Sequence, residues 1–184
     1  MKGYWKKLGT KTIFEHPRLK VLEDDVELPD GKQTKYMLYG GLEDYVTVIP
    51  EMEEKILLMS EYSYPHDEWL WQFPEGGIEA DEQPSDAAHR ELQEEASLRA
   101  NKISEVGMNY DHHRRTSRKN YIFSASGLSA VTGVKGDLEE QGIETQWFTA
   151  QEVNQMIFDG QIRQKNTLAA WAMYILKTDR NLKK

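Results

Sequence analysis

The sequence predicts an α/β fold, a mixed sheet packed between helices, preceded by a strand-rich N-terminal extension. Three observations lead there. Runs of β-branched and aromatic residues dominate the early chain, a helical repeat starts abruptly at Pro84, and two helical segments follow a further group of strands.

Taken in order, "TKTIF" and "RLKVLEDDVELPDGKQTKYMLYG" read as strands, with "PDGK" turning the chain between the second and third. The strongest strands are "DYVTVIP" and "KILLMSEYSY", and "EWLWQF" adds a short one. Pro84 suits a first helical turn, and Ala87, Ala88, Leu92 and Ala96 then form a buried stripe. Strands near "ISEVGMNY", "KNYIFSASGL" and "IETQWFT" precede the helices "AQEVNQMIFDG", closed by Gly160, and "TLAAWAMYILKTD". Residues 1–42 read as a strand-rich extension or a small subdomain, and residues 43–184 as the main domain.

Composition narrows the function. The 184 residues are 39% apolar and 29% charged, as in a soluble globular protein. A net charge of −8 argues against general nucleic-acid binding. Without cysteine there are no disulfides, thiolate zinc sites or cysteine nucleophiles. The basic opening lacks an apolar secretory core and no run reaches membrane-spanning length, so a cytoplasmic protein is expected.

The stretch "FPEGGIEADEQPSDAAHRELQEEASL" stands apart. It holds eight carboxylates and one arginine, Arg90. On a helix Glu91, Glu94 and Glu95 share one face. A run of charge is usually a solvated face, but here Gly76 and Gly77 allow a sharp turn and close approach to a ligand. Arg90 can pair with Glu82 or Asp86 and hold the loop to the helix. A hard divalent cation would relieve the remaining repulsion, and oxygen-only ligands point to Mg²⁺ or Mn²⁺.

The spacing G-x5-E-x7-R-E-(aliphatic)-x-E-E-x-G-(aliphatic) resembles the Nudix box, falling on Gly76, Glu82, Arg90, Glu91, Leu92, Glu94, Glu95 and Leu98. Its six fixed positions match by chance on the order of 10⁻⁷ per start at ordinary residue frequencies. The box's last glycine is Ser97 here, at what would be a left-handed helix cap. Flanking segments resemble the ADP-ribose pyrophosphatase and nucleoside-diphosphate-sugar hydrolase branch, from about Trp5 to Trp171.

That resemblance implies an α/β/α Nudix sandwich and a homodimer with exchanged N-terminal strands. It also implies Mg²⁺-dependent cleavage of a small nucleotide's pyrophosphate into a nucleoside monophosphate and a sugar phosphate. Glu91 and Glu95 would be the principal metal ligands, with Glu94 a further ligand or a base for water. The main-chain carbonyl of Glu75 would complete the shell, and Glu82 with Arg90 would orient it.

The sequence departs from the branch in two places. Ser60 and Ser63 stand where the branch has arginines, and Arg118 stands where its catalytic loop has a glutamate. The loop Asp111–Lys119 carries a net +3 with histidines neutral. It reads either as a solvated basic loop or as a replacement phosphate grip by Arg114, Arg115 or Arg118, with His113 a further substrate contact. Glu139, Glu140 or Glu144 would stand in for the absent glutamate. Without cysteine or a helical His-x3-His pair, His112 and His113 do not make a zinc site. Trp69, Trp71, Tyr62 and Tyr64 read first as sheet packing, although the resemblance to the branch implies that one of them, or Phe14, His16 or Tyr39, stacks on the base. The first expected substrate is ADP-ribose. The alternatives are a broad-specificity hydrolase of NADH or dinucleoside polyphosphates and a non-catalytic nucleotide-sensing module. RNA cap removal fits poorly with one short basic loop.

Overall fold

The computed structural model describes residues 3–132 and 142–178. It contains two compact units: the residues up to Glu43 with Tyr110–Arg118, and Asp44–Asn109 with the residues from Lys119 onward.

In the first unit β1 (Lys6–His16), β2 (Leu19–Glu27) and β3 (Gln33–Gly40) form an antiparallel sheet in that order. Its β2–β3 turn works because Gly31 takes φ +83°, a conformation without cost to glycine. Among the residues of the three strands only Asp24 and Val26 are buried. Asp24 accepts the Thr10 hydroxyl at 2.6 Å and faces Lys7 Nζ at 3.4 Å. Leu8, Ile13, Phe14, Met37 and Tyr39 are exposed.

The second unit adds β4 (Tyr45–Met52), β5 (Lys55–Ser63), β6 (Glu68–Gln72), β7 (Glu75–Gly77), α1 (Pro84–Ala96) and β8 (Leu98–Tyr110). It ends with β9 (Lys119–Ala130), β10 (Glu144–Thr149), α2 (Ala150–Phe158) and α3 (Lys165–Thr178). The sheet runs β10-β5-β4-β9-β8, with β6 on β5 and β7 on β4. It is mixed, since β4 and β9 are parallel while β4–β5 and β5–β10 are antiparallel.

Strand alternation sends side chains to two cores. Val46, Val48, Leu57 and Phe123 pack with Ala87, Ala88, Leu92 and Ala96 of α1. Ile49, Ile56, Leu58 and Ile122 pack with Val153 and Met156 of α2 and Ala170 and Trp171 of α3. Helices thus cover both faces, as expected from the order of elements.

The apolar stripe read on α1 is buried, and Glu91 is buried beside it. Three details differ from the sequence reading. The strand β7 spans Glu-Gly-Gly, which has no β propensity and owes its pairing to β4. β8 begins at Leu98 rather than near Ile103, because a sheet-edge ladder extends through polar residues. α3 starts before Thr167, since Gln164 Oε1 accepts the Thr167 N–H at 2.7 Å and caps it. Gly160, at φ +70°, closes α2 as expected. Among the described residues no helix is long and apolar enough to cross a membrane.

Candidate active site

The acidic stretch folds into β7, a turn and α1, and the glycine before the turn decides its geometry. A β-carbon on Gly76 would lie 2.1 Å from Glu91 Cδ, so the carboxylate occupies the space that any other residue would fill. Next to it the Glu75 N–H donates to Glu95 Oε2 at 2.8 Å, tying β7 to α1. The Glu75 carboxylate is held from the other side. Gln164 Nε2 donates to it at 2.8 Å and Asn166 Nδ2 at 3.0 Å, while Asn166 Oδ1 accepts the Tyr45 hydroxyl at 2.9 Å.

Arg90 fastens the turn. Its guanidinium forms a two-point pair with Glu82, Nε to Oε1 at 3.0 Å and Nη2 to Oε2 at 2.9 Å. Nη2 also donates to the Gly77 carbonyl at 2.7 Å, and Nη1 donates to Glu91 at 2.6 Å and Glu94 at 3.0 Å. Of the two partners read for Arg90, Glu82 is the one it grips. The Arg90 bonds hold the Glu82 carboxyl below its ordinary pKa, helped by the Glu79 N–H. Those to Glu82 and Glu91 in turn hold the guanidinium charged.

Glu95 is electrostatically different. Loss of solvent pushes its pKa well above the usual carboxylate value, against the Glu75 N–H that lowers it, and the charges of Glu91, Glu61 and Glu75 add to the rise. Glu61 was not read from the sequence as a site residue. It lies on β5, accepts a bond from the Gln72 amide, and belongs to the same negative field. Gln164 and Asn166 were missed as well, because nothing local in "RQKNTL" marks them as holding a loop some ninety positions earlier.

Among the described residues no group of three or more carboxylate or imidazole side chains stands arranged around a metal position. Glu91 and Glu94 are both bonded to Arg90 Nη1. The donor set still fits a hard divalent cation. Glu91 lies in a cradle made by the bare Cα of Gly76, and Glu95 stands among three other carboxylates that raise its pKa.

The residues read as a basic grip lie in the first unit. His113 and Arg114 are exposed in the turn that follows Asp111. The Arg114 and Arg115 carbonyls accept the Tyr36 hydroxyl and the Tyr39 N–H, both at 2.6 Å. The Arg115 guanidinium lies 5.3 Å from the Tyr36 ring centroid and donates to the Met37 carbonyl at 3.2 Å, and Arg118 donates to the Glu43 carbonyl. Both guanidiniums therefore brace the N-terminal sheet and the chain following it.

Ser60 and Ser63 do not face one place. Ser63 lines a cavity with Glu61 and Gln164, and Ser60 lines another with Trp69, Gly142 and Glu144. Glu139 and Glu140 lie outside the described residues. Ser97 is the left-handed cap of α1, at φ 52° and ψ 38°, with its N–H on the Gln93 and Leu92 carbonyls.

The family model described as "NUDIX domain" matches residues 42–171, and the one described as "Nucleoside diphosphate sugar hydrolase N-terminal domain" matches residues 5–37. A CMP-5'-(N-acetyl-N-hydroxy-3-aminopropyl)phosphonate hydrolase of Streptomyces rubellomurinus is 25% identical over 85% of this chain and 75% of its own. The ADP-ribose pyrophosphatase of Bacillus subtilis is 23% identical over 90% of this chain and 89% of its own. A crystal structure of an ADP compounds hydrolase superposes with a TM-score of 0.87, at 19% identity and 96% coverage of both chains, and shares the fold.

Proposed function

The chain belongs to the NUDIX family, and from that premise we propose that it hydrolyses the pyrophosphate of a nucleoside-diphosphate sugar, ADP-ribose first, with Mg²⁺ or Mn²⁺. It is a Nudix pyrophosphohydrolase of the ADP-ribose pyrophosphatase type. One observation carries the reading: the carboxylates of Glu91 and Glu95 are gathered against Gly76 and the Glu75 N–H, a fixed cluster of oxygens beside an open turn.

Glu91 and Glu95 would hold the cations, with the Glu75 carbonyl completing the shell and Glu94 either a further ligand or the base for water. When bound, such ions would supply countercharge to the pyrophosphate and would lower the pKa of an attacking water. The chain's own residues hold that arrangement. Arg90 and Glu82 fix the turn, and the Gln164 and Asn166 amides keep Glu75 in place so that its backbone stays in register. Glu94, exposed enough to meet solvent, is the candidate base that takes a proton from water.

Residues 1–42 form the dimerisation extension in this reading and residues 43–184 the hydrolase domain. A three-stranded sheet burying so few of its own residues needs a cover, and the exposed Leu8, Ile13, Phe14, Met37 and Tyr39 fit a second copy exchanging these strands. His113, Arg114, Arg115 and Arg118 remain the candidate substrate contacts of this reading. We place the protein in the cytoplasm.

The test is product analysis with each metal. ADP-ribose, GDP-mannose, UDP-glucose, NADH and a diadenosine polyphosphate are run side by side, with Glu95→Gln and chelator as controls. Metal-dependent release of a nucleoside monophosphate is expected. Tight binding without turnover across the panel would instead make it a nucleotide-sensing module.

A further inference from the structure

Glu61 lies on β5, outside the stretch that carries the other carboxylates of the site. Alternation along β5 sends Leu57, Met59 and Glu61 to one face. Leu57 packs there with Ala88 and Leu92 of α1, the helix that carries Glu91 and Glu95. On the neighbouring strand Gln72, buried and three residues before Glu75, donates its amide to the Glu61 carboxylate. A cavity of about 340 Å³ against this hairpin is walled in part by Glu61, Gln72 and Gln164. Gln164 also donates to Glu75, whose N–H bonds Glu95.

The carboxylates of α1 are not wholly available to a cation. Arg90 Nη1 holds Glu91 at 2.6 Å and Glu94 at 3.0 Å, so a cation beside Glu95 would compete with a guanidinium for both. Mg²⁺ demands an octahedral set of oxygens. A carboxylate entering from the sheet serves that need without displacing Arg90. Glu61 comes from that side, and its charge is one of the three that raise the Glu95 pKa. Gathering like charges costs the cation-free fold stability, and a buried amide that orients one of them is the usual support of a metal ligand. An ionised carboxylate has about four acceptor sites, so an amide and a cation can share it.

We propose that Glu61 is a further ligand of the divalent cations held by Glu91 and Glu95, entering from the sheet, with Gln72 as its positioning residue. The proposal rests on the cation-dependent reading above and adds to it a ligand from outside the acidic motif.

The test is calorimetric titration of Mn²⁺ into the full chain, the parent beside Glu61→Gln and Glu61→Asp, with melting curves taken with and without the ion. Glu61→Gln should bind Mn²⁺ at least about tenfold more weakly and lose most of the Mn²⁺-induced rise in Tm. Without the ion its Tm should equal or exceed the parent's, because a repelling charge is gone. Glu61→Asp keeps the charge but shortens the reach, so it too should bind about fivefold more weakly or worse. Affinity within about twofold of the parent in Glu61→Gln would overturn the proposal. So would full affinity in Glu61→Asp, which would leave only a long-range field. A Glu61→Gln chain melting well below the parent without the ion would make the carboxylate structural and overturn it as well. None of these outcomes touches the hydrolase reading. That reading falls instead if the parent binds Mn²⁺ through Glu61 yet releases no nucleoside monophosphate from any substrate of the panel. A parent that binds no Mn²⁺ would remove both.

Discussion

Gly76 and Glu91 share one volume: the carboxylate of the helix residue sits where the strand residue's side chain would begin, 2.1–2.2 Å from an ideal β-carbon. Gly76→Ala should therefore displace Glu91, the flexible partner, rather than the backbone. Activity is expected to fall at least about a hundredfold with Tm lowered by only a few degrees, since one misplaced group costs catalysis far more than stability. Activity within twofold of the parent, measured beside a melting curve, would show that Glu91 need not lie there.

Glu95→Gln keeps shape and the bond from the Glu75 N–H but removes the charge. Turnover should drop by about three orders of magnitude or more, with circular dichroism unchanged. Near-normal rates would refute its role as a cation ligand.

Arg90 makes a two-point pair with Glu82 and also caps the Gly77 carbonyl. Lysine has the charge without the planar fork, so Arg90→Lys should still lose about tenfold or more in kcat/KM. Full rescue by lysine would mean that charge alone suffices.

Ser97 holds a left-handed conformation that glycine adopts freely. Ser97→Gly should raise stability by about 1 kcal/mol at constant kcat, read from denaturant midpoints with an unchanged slope. A destabilised variant would mean that the serine's side chain compensates at this helix end.

On the proposed strand exchange, removing residues 1–40 should leave a monomer in sedimentation where the full chain is a dimer, with loss of activity. An active, well-folded truncated monomer would exclude strand exchange.

The carboxylate motif was legible because its spacing is local: thirteen residues of one helix and the turn before it determine which side chains meet. The left-handed cap at Ser97 could be read for the same reason. Glu61, Gln164 and Asn166 could not, since their positions depend on which strand lies beside β6 and where α3 docks. Ser60 and Ser63 show the limit in another form. The replacement of two arginines was plain, but a separation of three along a strand sends them to opposite faces, which only the confirmed strand makes visible. The basic loop was legible as charge and not as placement, because its Arg115 and Arg118 partners are main-chain carbonyls, which no side-chain pattern announces.

The two amides that grip Glu75 come from the N-terminal end of α3 and the residue before it. During synthesis the whole carboxylate motif leaves the ribosome long before Gln164 and Asn166 do. A nascent or prematurely terminated chain would then carry every acidic residue of the site while its turn remained untethered. Competence would arrive late and all at once, on docking of α3, so unfinished copies would not consume nucleotides.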